Sequence, residues 1–284
     1  MMQEVSSCKL AMENCIEQKY FSIAHLYKEE KAMNMHIHDC YEIYYSISGG
    51  KQFLIDNQFY TIESGDLFIM NQYESHYLTQ IDSAIHERIV IAIHPDFLKQ
   101  ISSSQTDLSE CFTKRPLGFS HKLSLTKEQQ NQFLYYTKKI TSTEGYGQDL
   151  AERATFIQLM LLINAAYQTK TTTHTSLKPN KQVDEMLLYI NQNIYETLTI
   201  EDLAHHFFLS PSYICRMFKS ATGMTINKYI MARRISIAKS LLAEGLNVNE
   251  VCMRCGYNDY SNFVKAFNKA VGMSPKKYAQ VCML

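Results

Sequence analysis

The 284-residue chain has no formal net charge, 28 Lys+Arg standing against 28 Asp+Glu. Bulk charge therefore names no partner. No apolar run approaches the roughly 18–20 residues that a membrane-spanning helix needs, and the amino terminus lacks the basic-then-apolar order of a secretory signal. Both absences point to a cytoplasmic protein with no membrane partner. The eight cysteines show none of the spacing of a disulfide framework, so they read as reduced, mostly structural thiols. Cys252 and Cys255 form the single C-x-x-C; with no second pair nearby, they read as small residues on the core side of a helix.

What is present divides into two unlike halves. Hydrophobic residues make up 46% of the chain, which excludes a mostly disordered protein and supports two cores. Residues 1–179 carry 16 Lys+Arg against 20 Asp+Glu, and residues 180–284 carry 12 against 8. A modestly basic carboxy-terminal half tied to an acidic half fits a nucleic-acid binder joined to another module.

Residues 20–94 are strand-like. Segments 41–47, 51–55, 59–62, 67–70 and 88–93 are rich in β-branched and aromatic residues. Turn signals separate them, among them Ser48-Gly49-Gly50, Asp56-Asn57 and Ser64-Gly65-Asp66, and Asp56-Asn57 suits a two-residue hairpin. Short strands at such spacing predict an antiparallel sandwich or jelly roll. From about residue 124 the period becomes helical, with Thr126 as N-cap of one helix and a second over 149–168. The broad apolar stripe of the second helix suits packing on the sheet, and equally a helix pair that joins two chains. The polar stretch 170–180 reads as a linker. Helices are expected over 181–195, 200–207, 211–221, 225–243, 248–255, 259–271 and 275–280, with Ser210-Pro211 as cap and first residue, and Gly223, Gly245, Gly256 and Gly272 near helix ends.

The carboxy-terminal half repeats itself. The run Phe218-Lys219-Ser220-Ala221-Thr222-Gly223-Met224-Thr225 returns 49 positions later as Phe267-Asn268-Lys269-Ala270-Val271-Gly272-Met273-Ser274, and Tyr229 returns as Tyr278. A short helix, a tight turn and a second helix precede each copy, the layout of a helix-turn-helix. In the second helix of each unit, Ile214, Phe218 and Ala221 fall on one face, and so do Phe263, Phe267 and Ala270. The opposite faces differ: Ser212, Cys215, Arg216 and Lys219 in one, Ser261, Val264, Lys265 and Asn268 in the other. Shared cores with different outer faces suit two readers of different half-sites in double-stranded DNA. Ser212, Cys215, Arg216, Ser261, Asn262, Val264 and Lys265 are the expected base readers in the major groove. Lys219, Arg233, Arg234, Lys276 and Lys277 are the expected phosphate contacts.

Leu198 to Ala204, Ser210 to Lys219, Thr222-Gly223, Tyr229-Ile230, Arg234-Ile235 and Cys255 to Tyr278 together resemble the AraC-type DNA-binding domain. The resemblance implies a sequence-specific bacterial transcription regulator, usually an activator that contacts RNA polymerase. The chain departs from the family pattern at Cys252-Met253, Asn268 and Ala279, where Ile-Ala, Lys and Arg are usual.

In the amino-terminal half, His36, His38 and Glu42 share a strand face, with Tyr44 on the same side and His76 further on. The spacing resembles the two cupin signatures, whose three histidines and one glutamate hold a metal; such a set suits a divalent transition ion. The second signature departs, having Asn71-Gln72-Tyr73 where Pro-x-Gly is usual. Three readings stay open: a metal site, a metal-free pocket for a small polar effector such as a sugar, and a purely structural barrel. In the pocket reading His36, His38, Glu42, Tyr44 and His76 are the polar anchors.

The combined expectation is an α+β protein: a cupin-like β-barrel of jelly-roll type over 1–123, a helical pair over 124–169 that joins two chains as a homodimer, and an all-α domain with two helix-turn-helix units over 181–284. It is a ligand-responsive transcription regulator, not an enzyme, and no cofactor is expected. The rivals are a metal-dependent cupin enzyme and a constitutive regulator whose barrel only dimerises.

Overall fold

The computed structural model describes residues 7–28, 38–56, 58–72, 74–80, 86–114, 119–169, 181–222 and 224–282. His36, Asn57, Tyr73, Gly223 and the linker 170–180 lie outside the described residues.

The amino-terminal domain starts with helix α1 (Cys8–Gln18), which the sequence reading did not anticipate. Ser7 caps it through Leu10 N, and Ala11, Met12 and Cys15 form a stripe too short to register as a period. Strands β1 (Phe21–Lys28), β2 (Tyr41–Ser48), β3 (Gln52–Ile55), β4 (Gln58–Thr61), β5 (Asp66–Met70), β6 (His76–Gln80) and β7 (His86–Ile93) follow. After helices α2 (Pro95–Ile101) and α3 (Glu110–Thr113) comes the short strand β8 (Lys122–Ser124), also unforeseen. Two antiparallel sheets result, ordered β1-β7-β2-β5-β8 and β4-β3-β6. Among the described residues no ladder joins them into a closed barrel, so the jelly roll is a pair of facing sheets.

The five-stranded sheet is covered on both faces, which explains why its strands are apolar throughout instead of alternating. One face, with Ala24, Tyr44, Phe68, Val90 and Ala92, meets Phe53, Ile55, Tyr60 and Leu78 of the smaller sheet. The other, with Ile23, Ile43, Ile69 and Ile91, packs under helices α4 (Lys127–Ser142) and α5 (Gln148–Gln168). Thr126 and Gln129 close a reciprocal capping box at the start of α4. Phe156 of α5 stacks on Phe21 with ring centroids 4.0 Å apart, and Phe133 of α4 stacks on Tyr45 at 4.5 Å. The helical pair is thus part of the sheet's core on one side.

The carboxy-terminal domain comprises α6 (Lys181–Gln192), α7 (Ile200–His206), α8 (Pro211–Thr222), α9 (Ile226–Ala243), α10 (Val248–Arg254), α11 (Tyr260–Val271) and α12 (Pro275–Cys282). Helices α7 and α8 make the first helix-turn-helix, and α10 and α11 the second. Each has its own core, around Leu203, Ile214 and Phe218 in one and Val251, Phe263 and Phe267 in the other. Helix α9 contributes Tyr229 and Ile230 to the first core and Ile235, Ala238 and Leu242 to the second. Its 18 residues span about 27 Å at 1.5 Å per residue. Cys252 and Cys255 are buried in the second core, and burial pushes the Cys255 thiol up to about 12. Both behave as packing residues.

The two domains are docked through the outer face of the small sheet. Leu54, Phe59 and Tyr77 are buried in the same core as Val183, Phe218 and Tyr229 of the helical domain. Polar contacts frame this apolar patch. Asp56, at φ 57° in the β3–β4 turn, pairs with Arg233, and its carbonyl accepts from the Tyr229 hydroxyl at 3.1 Å. Asn191 accepts from Arg233 Nε at 2.9 Å and donates to the Tyr229 hydroxyl at 2.8 Å. Asp39 pairs with Lys239, whose ammonium lies 5.6 Å from the centre of the Tyr278 ring.

Gly256 sits at a close approach to the backbone of Ile194 and Tyr195. At φ +71°, it would place an added Cβ 2.8 Å from Tyr195 O and 2.9 Å from Ile194 O and Arg234 Nη2. The left-handed conformation and the two rigid carbonyls both oppose a side chain. Gly256→Ala is expected to lower unfolding stability by about 2–4 kcal/mol, measured by urea denaturation. An unchanged midpoint would contradict this packing.

Candidate DNA interface and buried polar site

The two second helices present the faces expected of readers. On α8, Ser212, Arg216 and Lys219 are exposed and Cys215 is half-buried; on α11, Ser261, Asn262 and Lys265 are exposed and Val264 is half-buried. Asp259 caps α11 through Asn262 N at 2.7 Å, and Ser210 accepts from Tyr213 N at 3.3 Å at the start of α8. The buried faces are shifted at their last turn. Ala221 is half-buried and Ala270 is exposed, while Thr222 is fully buried. Thr222 lies under the chain as it turns into α9, its hydroxyl bonded to Phe218 O at 2.8 Å. The alanines lie to the side of that return.

The expected phosphate contacts fall into two groups. Lys219, Lys276 and Lys277 are exposed. Arg233 and Arg234 are instead engaged within the protein: Arg233 binds Asp56 and Asn191. Arg234 donates to Ile194 O at 3.0 Å and Glu196 O at 2.5 Å, and stacks over Tyr257. Both face inward because this side of α9 packs on the β3–β4 turn and the segment after α6. Helical spacing alone did not show which side of α9 is covered.

Between the two sheets lies a buried polar cluster. Glu42 of β2, His76 of β6 and His38 just before β2 converge, with His38 Nε2 at 2.6 Å and His76 Nε2 at 3.1 Å from the same carboxylate oxygen of Glu42. Each Nδ1 lies 2.9 Å from a main-chain carbonyl, that of Cys40 for His38 and that of Glu74 for His76. Burial disfavours the charge on His38, yet Cys40 and Glu42 beside it outweigh this and raise it to about 9. Burial likewise opposes ionisation of Glu42, but His76 and His38 hold its carboxyl well below the usual range. For His76, burial is outweighed by Glu42, and its pKa is raised.

Tyr44 shares the inner face of β2 but makes a different contact, its hydroxyl lying 2.5 Å from His86 Nε2; Arg88 lies 3.3 Å from the other nitrogen of that ring. A further group joins Tyr60, His121 and Glu74, with His121 Nδ1 2.9 Å from the Tyr60 hydroxyl and Nε2 3.1 Å from Glu74. The sequence reading did not include His86, Arg88, Tyr60, Glu74 or His121. For His86 and Arg88 a signal existed, because they alternate in phase with the inward Val90 and Ala92 on β7. For His121 none did, since it arrives from the segment before the unforeseen β8.

Comparison with known proteins places both halves. Residues 20–159 match the AraC-like ligand binding domain and residues 203–280 match a helix-turn-helix domain. The chain belongs to the AraC-type family of transcriptional regulators. It is 25% identical over 228 residues to the HTH-type transcriptional regulator YbfI of Bacillus subtilis, covering 80% of each chain. The melibiose operon regulatory protein of Escherichia coli is 32% identical over 124 residues, which cover 43% of this chain and 40% of that protein. The crystallised DNA-binding domain of AdpA, in complex with a target DNA, is 27% identical with a TM-score of 0.33, over 34% of this chain and 87% of that one. This AraC-type chain is therefore a DNA-binding transcription regulator with a ligand-binding amino-terminal domain. Among its described residues no helix is long and apolar enough to cross a membrane.

Proposed function

We propose that a small polar effector, such as a sugar, binds between the two sheets and alters how the small sheet seats on the DNA-binding domain. The observation that carries this reading is a pair of adjacent residues on each of two segments. His38 and His76 belong to the buried polar cluster, and their neighbours Asp39 and Tyr77 contact the helical domain. A ligand that moves the first member of a pair must move the second. Such coupling requires differential affinity of roughly 1–3 kcal/mol between the two arrangements.

Each protomer reads an asymmetric site, with Ser212, Cys215 and Arg216 on one half and Ser261, Asn262, Val264 and Lys265 on the other, while Lys219, Lys276 and Lys277 hold phosphates. Arg233 and Arg234 act in docking and packing. The protein works as a homodimer and activates transcription through contact with RNA polymerase. The dimer reading is supported by exposed Leu150 and Leu161 on one stripe of α5, the face away from the sheet. Sedimentation at twice the monomer mass is the expected result, and a strict monomer at micromolar concentration would remove the pairing.

Two further outcomes test the regulator. Selection of duplexes from a random pool should return a two-part site, with Arg216→Ala and Lys265→Ala each losing about 1–3 kcal/mol of discrimination in a different half. Equal weakening on all DNA would show phosphate contacts instead. The double variant Asp39→Ala/Asp56→Ala, which removes both inter-domain carboxylates, should change DNA affinity at least about fivefold. Unchanged affinity would separate domain docking from regulation.

A further inference from the structure

We propose that Met12, Cys15 and Cys40 form a binding site for one soft monovalent metal ion, Cu(I), held between helix α1 and the segment that leads into β2. The site takes no ligand from the His38, Glu42 and His76 cluster and goes beyond the effector reading of the amino-terminal domain.

Three sulfur atoms from two separate segments converge here. Met12 and Cys15 stand three residues apart and share the buried face of α1 with Ala11. Cys40, just before β2, faces them, and its thiol donates to Met12 Sδ at 3.2 Å. A hydrogen bond with the Cys15 side chain, and then burial, hold the Cys40 thiol well above its usual range. All three residues are buried, Cys15 and Cys40 completely. Cys8 lies one turn before Met12 on the same helix face, half-buried at the edge of the same core. The helix thus carries sulfur at i, i+4 and i+7, with the outermost thiol placed to pass an ion inward.

A cysteine or a methionine alone in a core is ordinary packing. A thiol in contact with both a second thiol and a thioether is a ligand set. Thiolate and thioether donors favour soft ions. Three of them without nitrogen or oxygen suit Cu(I), whereas structural Zn(II) takes a fourth ligand and Cu(II) prefers a tetragonal nitrogen and oxygen set. The surrounding core, with Ala24, Leu26 and Ala92, is apolar and offers no competing oxygen ligand.

On binding, each thiol releases its proton to solvent and each sulfur donates a lone pair to the ion. Two thiolates, a neutral thioether and a +1 ion leave one net negative charge, and His38 Nδ1 stands 3.5 Å from Cys40 Sγ. Metal–sulfur bonds of about 2.3 Å in a trigonal set would hold the sulfurs about 4 Å apart. The 3.2 Å contact of Met12 with Cys40 must therefore widen, which the three rotatable bonds of methionine allow. Cys40 follows Asp39, which pairs with Lys239 of the DNA-binding domain, so the ion would fix α1 to the segment that carries this inter-domain contact.

The test uses the full-length protein, reduced and anaerobic, titrated with Cu(I) in competition with a chromophoric Cu(I) chelator. One ion per chain should be retained, with a thiolate-to-Cu(I) band in the ultraviolet and only sulfur neighbours by X-ray absorption. Cys15→Ser and Cys40→Ser should each weaken binding at least about 100-fold, the upper end of what outer-shell changes cost. Met12→Leu, which keeps the packing volume, should weaken it at least about tenfold while retaining the far-UV dichroism of the parent. No stoichiometric binding by the parent protein would overturn the proposal. Unchanged affinity in Met12→Leu or in either serine variant, or nitrogen and oxygen neighbours around the ion, would do the same by moving the ion to another site, such as Cys252 and Cys255.

Discussion

Consecutive residues of an extended segment face opposite sides, and this constraint ties the buried polar cluster to the DNA-binding domain. The three-stranded sheet has no solvent face over its centre. Phe53, Ile55 and Leu78 point toward the larger sheet, while Leu54 and Tyr77 point into the helical core. His76 follows the first set and sits on Glu42. A sheet only three strands wide and packed on both sides leaves little slack between the two cores that it separates. Polar contacts at its rim, Asp56 with Arg233 and Asp39 with Lys239, frame the apolar patch of Leu54, Phe59 and Tyr77.

The same logic explains the division of labour on α9. Its 18 residues hold two small cores at a fixed separation, and one side carries Arg233 and Lys239 toward the amino-terminal domain. The faces of α8 and α11 that carry Arg216 and Lys265 stay exposed. Docking and the proposed reading faces therefore use different surfaces of one domain.

Much of the architecture was legible in the chain because it rests on local interactions. Thr126 with Gln129, Ser210 before Pro211 and the glycines after helices mark ends within a residue or two. Five strands were recognised from β-branched and aromatic runs. Helices α1, α2 and α3 and strands β1, β6 and β8 were not singled out, because each is short or weakly patterned and is held by partners distant in sequence, as Phe68 holds Lys122 in β8. In the site, His38, Glu42, Tyr44 and His76 were recognised through strand alternation and motif spacing, but alternation does not say which of them touch. Tyr44 turned to His86, whereas His38 and His76 met on Glu42.

What the sequence alone determined, then, is the periodicity of each segment, the duplication at 49 residues and the two outer faces that differ between the copies. The periodicity and the outer faces depend on residues at most a few turns apart, and the duplication is read by direct comparison of the two copies. Only the tertiary structure decided that Arg233 and Arg234 serve the protein's own packing, that His121 reaches Tyr60 and Glu74, and that two imidazoles share one carboxylate oxygen. Apart from His38 and Glu42, those contacts join residues 34 to 61 positions apart, and they exist because packing the sheets and the helices brings distant segments together.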